Sequence, residues 1–163
     1  MKKAAADMNT QAVEVVETEV PLEEVWSLNH SRLTCRLIVL LSAYQDECDI
    51  LPGLEFELST GRLKPDVAIA HKQERSWEED IIRYPHPPIT AIEILSPTQA
   101  LDLLIAKIRK AYFPAGVKSA WLVVPAVKTI YVFLPEQAPR IVATGTLHDP
   151  ASGIQLQIEE IFK

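Results

Sequence analysis

The sequence predicts a single α/β domain built on a mixed sheet flanked by helices. Three observations carry that reading. The chain has 163 residues, within the ~100–200 typical of one domain. From about residue 89 to 124 a buried strand, a helix and a second buried strand follow one another, the order of a parallel crossover unit, for which a right-handed path is expected. A predicted hairpin precedes this unit and a more exposed strand follows it, so the sheet is mixed rather than all parallel.

The elements follow in order. Residues 1–18 are expected to form a flexible, polar, Ala-rich arm, and 19–163 a single domain. Pro21 suits the first turn of a helix. Leu22, Val25, Trp26, Leu33, Leu37, Leu40, Leu41 and Tyr44 recur at helical spacing, predicting one long helix over about 21–47 with a weak point at 27–29. Pro52-Gly53 marks a turn. Leu54, Phe56 and Leu58 alternate with Glu55 and Glu57, a half-buried strand that Thr60-Gly61 turns into a second strand over about 62–71. Residues 72–88 are charged and Pro-rich, a long surface connection with room for one helical turn. Residues 89–95 (ITAIEIL) read as a buried strand, and Thr98 can cap a helix running to about 113. Residues 119–124 (SAWLVV) form the second buried strand, and 128–134 alternate as a more exposed strand would. Short strands at 140–144 and 153–158 and a closing helical turn at 159–163 complete the chain.

Composition narrows the classes. Apolar residues make up 48% and charged residues 23%, ordinary for a globular chain. This excludes a disordered chain, a fibre and a small disulfide scaffold. The longest apolar run, over 37–43, is far short of a membrane helix. The first ten residues carry two lysines but no apolar segment, so no secretory signal is expected. With two cysteines only, a reducing cytoplasm is the expected setting. The net charge of −6 argues against a general nucleic-acid binder. Residues 61–128, however, balance at +3 and the rest at −9, so the middle of the chain is where an anionic partner would be tolerated.

Two carboxylates stand where burial makes them costly. Asp66 precedes three small apolar residues in LKPDVAIA, and Glu93 lies between isoleucines in TAIEILSP. Two acids on adjacent strands are the minimal ligand set for Mg²⁺, which keeps several waters. The alternative is that one or both pair with a lysine or cap a loop.

Pro65-Asp66, then Glu93-Ile94-Leu95-Ser96-Pro97, then Tyr112 with Gly116-Val117, then Trp121 to Pro125, form an ordered series. With the ending GIQLQIEEIF, the series over residues 29–163 resembles a bacterial family named putative restriction endonucleases, of the PD-(D/E)xK nuclease superfamily. The resemblance implies a restriction-endonuclease-like core and a metal-dependent endonuclease hydrolysing DNA. It implies Asp66 and Glu93 as ligands of Mg²⁺ (or Mn²⁺), with a lysine that positions water or offsets charge on the phosphate. The superfamily pattern places that lysine two residues after the second acid, where this chain has Leu95. The family supplies it from the following helix, commonly four residues before the tyrosine, where this chain has Ile108. The available lysines are Lys107 and Lys110. On a helical wheel Lys107 lies about 115° from the core centre and Lys110 about 175°, so Lys107 is the choice, able to snorkel back along the flank.

Glu23 and His30, seven apart, share a face of the first predicted helix with Leu33 and Leu37. His30 matches a histidine that the family often has there, and both are accessory candidates. The other reading of His30 is a partly buried histidine with a hydrogen-bond partner. Glu55 and Glu57 alternate toward solvent and are weaker candidates. Cys35 and Cys48 lack a Cys/His cluster and read as core or helix-end thiols, not zinc ligands. Trp77 reads as a lid or partner contact, or as an anchor pinning its loop to the surface. Many such folds dimerise to cut two strands, and the apolar segment IYVFL could support a homodimer. The competing function is a catalytically degenerate binding or assembly module on the same fold, favoured by the net charge and by Leu95.

Overall fold

The computed structural model describes residues 25–74 and 76–163. The first helix, α1, is Leu28–Leu41. Ser27 caps it by accepting from the His30 backbone N–H at 3.2 Å, one of the donors a helix start leaves orphaned. It is therefore shorter than the periodicity suggests. Its last turn tightens into a 3₁₀ turn, Ser42–Tyr44, and the predicted stretch before residue 25, with Glu23, lies outside the described residues. Residues 45–47, expected to end the helix, form a turn, and a strand that the sequence did not predict, β1 (Cys48–Pro52), follows.

The predicted hairpin is divided between two sheets. β2 (Glu55–Leu58) and β3 (Gly61–Leu63) pair antiparallel, and β4 (Val67–His71) belongs to the main sheet. The break falls at Lys64-Pro65-Asp66, where proline cannot donate to a ladder. The long connection holds no helical turn among its described residues. It contributes β5 (Arg83–Tyr84), parallel to β2, and Trp77 stands fully exposed there rather than pinning the loop.

Next come β6 (Thr90–Ile94), the helix α2 (Leu101–Lys107), β7 (Ser119–Val124) and β8 (Thr129–Phe133). Thr98 does not cap α2; Ala100 occupies the cap position without a side-chain bond. β8 is more buried than its alternation suggests, because β9 (Arg140–Val142) covers its outer edge. A short pair, β10 (Thr146–His148) and β11 (Gln155–Gln157), precedes α3 (Ile158–Ile161); β10 was not expected from the sequence.

The main sheet runs β1-β4-β6-β7-β8-β9. Only β6 and β7 are parallel, and the other pairs are antiparallel. This is the mixed sheet the sequence predicts, with helices on both faces. On one face Val67, Ile69, Ile92, Ile94, Trp121 and Val123 pack against Leu33, Leu37 and Leu41 of α1 and against Ile158 and Ile161 of α3. On the other, Ala91, Ala120, Leu122 and Phe133 pack against Leu104, Ile108 and Tyr112. The period of two along each strand sends alternate side chains to opposite faces. Glu93 therefore shares the α2 face with Ala91. No described helix is long and apolar enough to cross a membrane.

Candidate active site

Asp66 and Glu93 meet where β4 begins and β6 ends. β4 and β6 pair antiparallel, with Val67 opposite Ile92, and continuing that register one step sets Asp66 opposite Glu93. At this step the ladder gives way to a side chain: Asp66 Oδ2 accepts the Ile94 N–H at 2.7 Å. Asp66 Oδ1 lies 3.0 Å from His30 Nε2, which donates to it from α1. His30 is 2% exposed, and Thr34 supports it from one turn along, its hydroxyl 3.5 Å from Nδ1. His30 is thus a buried histidine whose hydrogen-bond partner is a candidate site carboxylate.

Glu93 is 3% exposed. Burial pushes its carboxyl above the usual glutamate range, and Asp66 adds to the rise, while Lys107 and the bonds from Lys107 and Tyr112 oppose it. Lys107 Nζ donates to Glu93 Oε1 at 2.6 Å, and the Tyr112 hydroxyl donates to the same oxygen. Burial and the neighbouring Glu93 raise the Tyr112 phenol well above its ordinary value, so it remains a donor. Glu93 Oε2 accepts no bond among the described residues.

The backbone explains why Lys107 and Tyr112 reach one atom. Five residues of α-helix turn through about 500°, which leaves two side chains roughly 140° apart. Here the α-helix stops at Lys107 and Ile108–Tyr112 winds as a π turn. The Phe113 N–H bonds to the Ile108 carbonyl at 3.1 Å. Widening to an i→i+5 pattern takes up one extra residue, and residues five apart gain the common face that residues four apart share in an α-helix. The Lys107 ammonium consequently lies 5.3 Å from the centre of the Tyr112 ring. Lys110 is exposed and makes no ion pair among the described residues.

The structure thus brings together His30, Asp66, Glu93 and Lys107. It does not bring in Glu55 or Glu57, which pair with Arg83 and Arg62 at 3.5 and 3.8 Å on the small sheet. Tyr112 is the member sequence reasoning placed only in the core; its place in the Tyr–Gly–Val series was the available signal. Cys48 is buried and Cys35 exposed. The Cys48 thiol is raised by burial and by its acidic neighbours Glu47 and Asp49.

Among the described residues no group of three or more His, Cys, Asp or Glu side chains is arranged to hold a metal. The two carboxylates nevertheless suit a hard cation. Mg²⁺ is usually held by one or two carboxylates, completing its shell with water and substrate phosphate oxygens. Glu93 Oε2 is free of protein donors, and each carboxylate oxygen can accept more than one partner. The pair sits at the carboxyl end of β6, beside the parallel strand pair of the main sheet, a common location for ligands in α/β sheets.

A family profile described as Uma2, putative restriction endonuclease, matches residues 7–159. Among solved structures, the fold is similar to the crystal structure of a putative nuclease belonging to DUF820 from Anabaena variabilis. The TM-score is 0.72, with 21% identity over 85% of this chain and 82% of that one. At this identity the likeness carries the fold alone. No curated protein matches the chain.

Proposed function

The chain belongs to the Uma2 putative restriction endonuclease family, and from that premise we propose that it is a Mg²⁺- or Mn²⁺-dependent endonuclease that hydrolyses DNA phosphodiester bonds at the Asp66–Glu93–Lys107 cluster. The observation that carries this reading is the convergence of two carboxylates from adjacent strands with a lysine from the crossover helix.

Asp66 and Glu93 would hold the metal, through Glu93 Oε2 and the remaining acceptor capacity of Asp66. Bound there, the ion would polarise the scissile phosphate and lower the pKa of an attacking water. His30 fixes the Asp66 carboxylate by its bond to Oδ1, and the Ile94 N–H fixes the other oxygen. Tyr112 holds Glu93 Oε1 and so leaves Oε2 for a ligand. The Lys107 side chain is 32% exposed where that of Glu93 is 4%. Its ammonium can therefore turn from Glu93 to a phosphate oxygen and offset charge that grows in the transition state. Lys107 thus supplies from a helix what the superfamily pattern supplies from the position of Leu95.

The test is thermal melting with and without Mg²⁺, alongside plasmid cleavage. A cation that binds the folded carboxylate pair raises stability by about 2.7 kcal/mol at one hundred times its Kd. The melting temperature should rise with Mg²⁺ in the wild type and not in Asp66→Asn. An equal rise in both would place the metal elsewhere. Metal binding without cleavage of any DNA would leave the degenerate-module reading, which the direct Lys107–Glu93 ion pair favours, since it satisfies the site without a ligand.

A further inference from the structure

A second cluster of charge lies on the flank of α1 and has no part in the cluster just described. Asn29, Arg32, Leu33 and Arg36 follow one another at helical spacing and line one side of a surface cleft of roughly 310 Å³. Pro125 and Lys128 line another side, and residues 161–163 close it. The lining cations come from three parts of the sequence, Arg32 and Arg36 on α1, Lys128 after β7, and Lys163, and only Lys128 lies in the middle segment whose charge balance is +3.

The cleft contains no carboxylate among its lining side chains. Arg32 and Lys128 are exposed and their side chains make no ion pair or hydrogen bond among the described residues. Arg36 meets only the Lys163 carbonyl, at 3.3 Å. Lys163, on the rim, pairs with Glu160 at 3.6 Å. In a chain with a net charge of −6, a cleft lined by Arg32, Arg36 and Lys128, none of them in an ion pair among the described residues, is a local reversal of field. Lys128 is held there in a left-handed backbone conformation, φ 48°, which non-glycine residues rarely adopt.

Two links tie the cleft to the carboxylates. On α1, Asn29 and Leu33 of the cleft flank His30, which bonds Asp66. On β7, the Val123 carbonyl accepts the Leu95 N–H beside the site, and Pro125, two residues on, lines the cleft. The cleft and the carboxylates therefore lie at the same end of the β6–β7 pair, the cleft on the α1 face and Glu93 on the α2 face.

We propose that Arg32, Arg36 and Lys128 form a phosphate clamp that holds the backbone of duplex DNA beside the scissile position. Guanidinium groups match the geometry of phosphate oxygens, and a lysine adds a point charge. The identity of the ligand as DNA rests on the nuclease reading; the clamp supplies the substrate attraction that the acidic protein as a whole lacks. Such contacts position a duplex and carry no sequence information.

The experiment measures binding of a labelled ~30-base-pair duplex by fluorescence anisotropy over a range of salt, in EDTA so that nothing is cut. Each phosphate contact contributes about 0.9 to the slope of log K against log salt. Arg32→Gln/Arg36→Gln/Lys128→Gln should flatten the slope by about 2–3 relative to wild type and weaken binding at low salt. The singles Arg32→Gln and Lys128→Gln, at exposed positions, should each flatten it by about one and guard against a misfolded triple variant. Arg62→Gln, on β3, should leave it unchanged. Equal slopes for wild type and triple variant overturn the clamp, as does a wild type that binds no duplex. A second arm titrates inorganic phosphate: saturable phosphate binding lost in the triple variant, with duplex binding unaltered, assigns the cleft to a free anion and also overturns the proposal. Cleavage is read separately, with Mg²⁺. Loss of slope in the triple variant, with a wild type that never cuts, leaves the clamp standing and removes the nuclease reading.

Discussion

Strand β6 carries a buried carboxylate interaction toward each of its ends, and the two are built differently. At its start Thr90 donates to Asp149 Oδ2 at 2.6 Å. Asp149 is fully buried. It also accepts from the Ser152 hydroxyl at 2.7 Å and the Ala151 N–H at 3.0 Å. Every donor is neutral, and together they fasten the 149–154 turn, whose Gly153 sits at φ 77°, to the sheet. Toward its other end Glu93 takes a cation and a phenol on one oxygen and leaves the other open. Burial of a carboxylate is common to both places. The donors distinguish them: a full set of neutral donors makes a fastening, whereas a movable cation beside an open oxygen leaves capacity for a ligand.

Substitutions can break this contrast. The largest effect is expected at the Glu93 end. Lys107→Ala should lower phosphodiester cleavage by on the order of 10²–10³, the usual cost of one preorganised charge-stabilising group. Lys110→Ala should leave the rate nearly unchanged. A dispensable Lys107 and an essential Lys110, in single-turnover cleavage of plasmid DNA, would reverse the assignment. At the other end Asp149→Ala should leave the chemistry alone and cost about 3 kcal/mol of stability, since bonds to a charged acceptor are worth ~1.5–3 kcal/mol each. That corresponds to a melting temperature lower by roughly 6–12 °C. If Asp149→Ala instead abolished cleavage without altering melting, the two ends would not differ in kind.

Tyr112→Phe sharpens the comparison. It keeps the ring packed but frees Glu93 Oε1, and groups that orient a ligand typically matter by about 10–100-fold in metal affinity or rate. A Mg²⁺ titration followed by melting should show that weakening, whereas a purely structural tyrosine would lower metal-free stability alone. The smallest effect lies at Glu159, fully exposed, which accepts the Gly145 N–H at 3.0 Å. That bond holds its carboxyl below the usual value. Its contribution is present above the ordinary glutamate pKa of ~4.3 and is lost as pH falls through the lowered folded value. Glu159→Gln should therefore slightly flatten the decline of melting temperature on the acid side, and a wild-type profile of the same shape would show the bond to be without effect.

The sequence by itself determined much of this molecule. Periodicity placed the β6–α2–β7 unit, because buried strands and amphipathic helices differ in repeat length. Charge inside an apolar strand singled out Glu93, and Asp66 stood out beside a proline that breaks the ladder. The helical wheel separated Lys107 from Lys110, since the phase of a short helix is set locally. Other features were decided by tertiary structure. β1 exists because β4 offers it an edge, a long-range pairing that the local pattern of CDILP does not announce. The π turn that sets Tyr112 beside Lys107 depends on both side chains finding Glu93, fourteen or more residues away. Asp149 lies 59 residues from Thr90, and nothing near it in sequence tells of burial. Arg32, Arg36 and Lys128 share a cleft only because α1 lies across the sheet from α2, against the face where β7 ends. Local pattern fixes which residues leave water, and only the packing of distant segments decides which partners they meet.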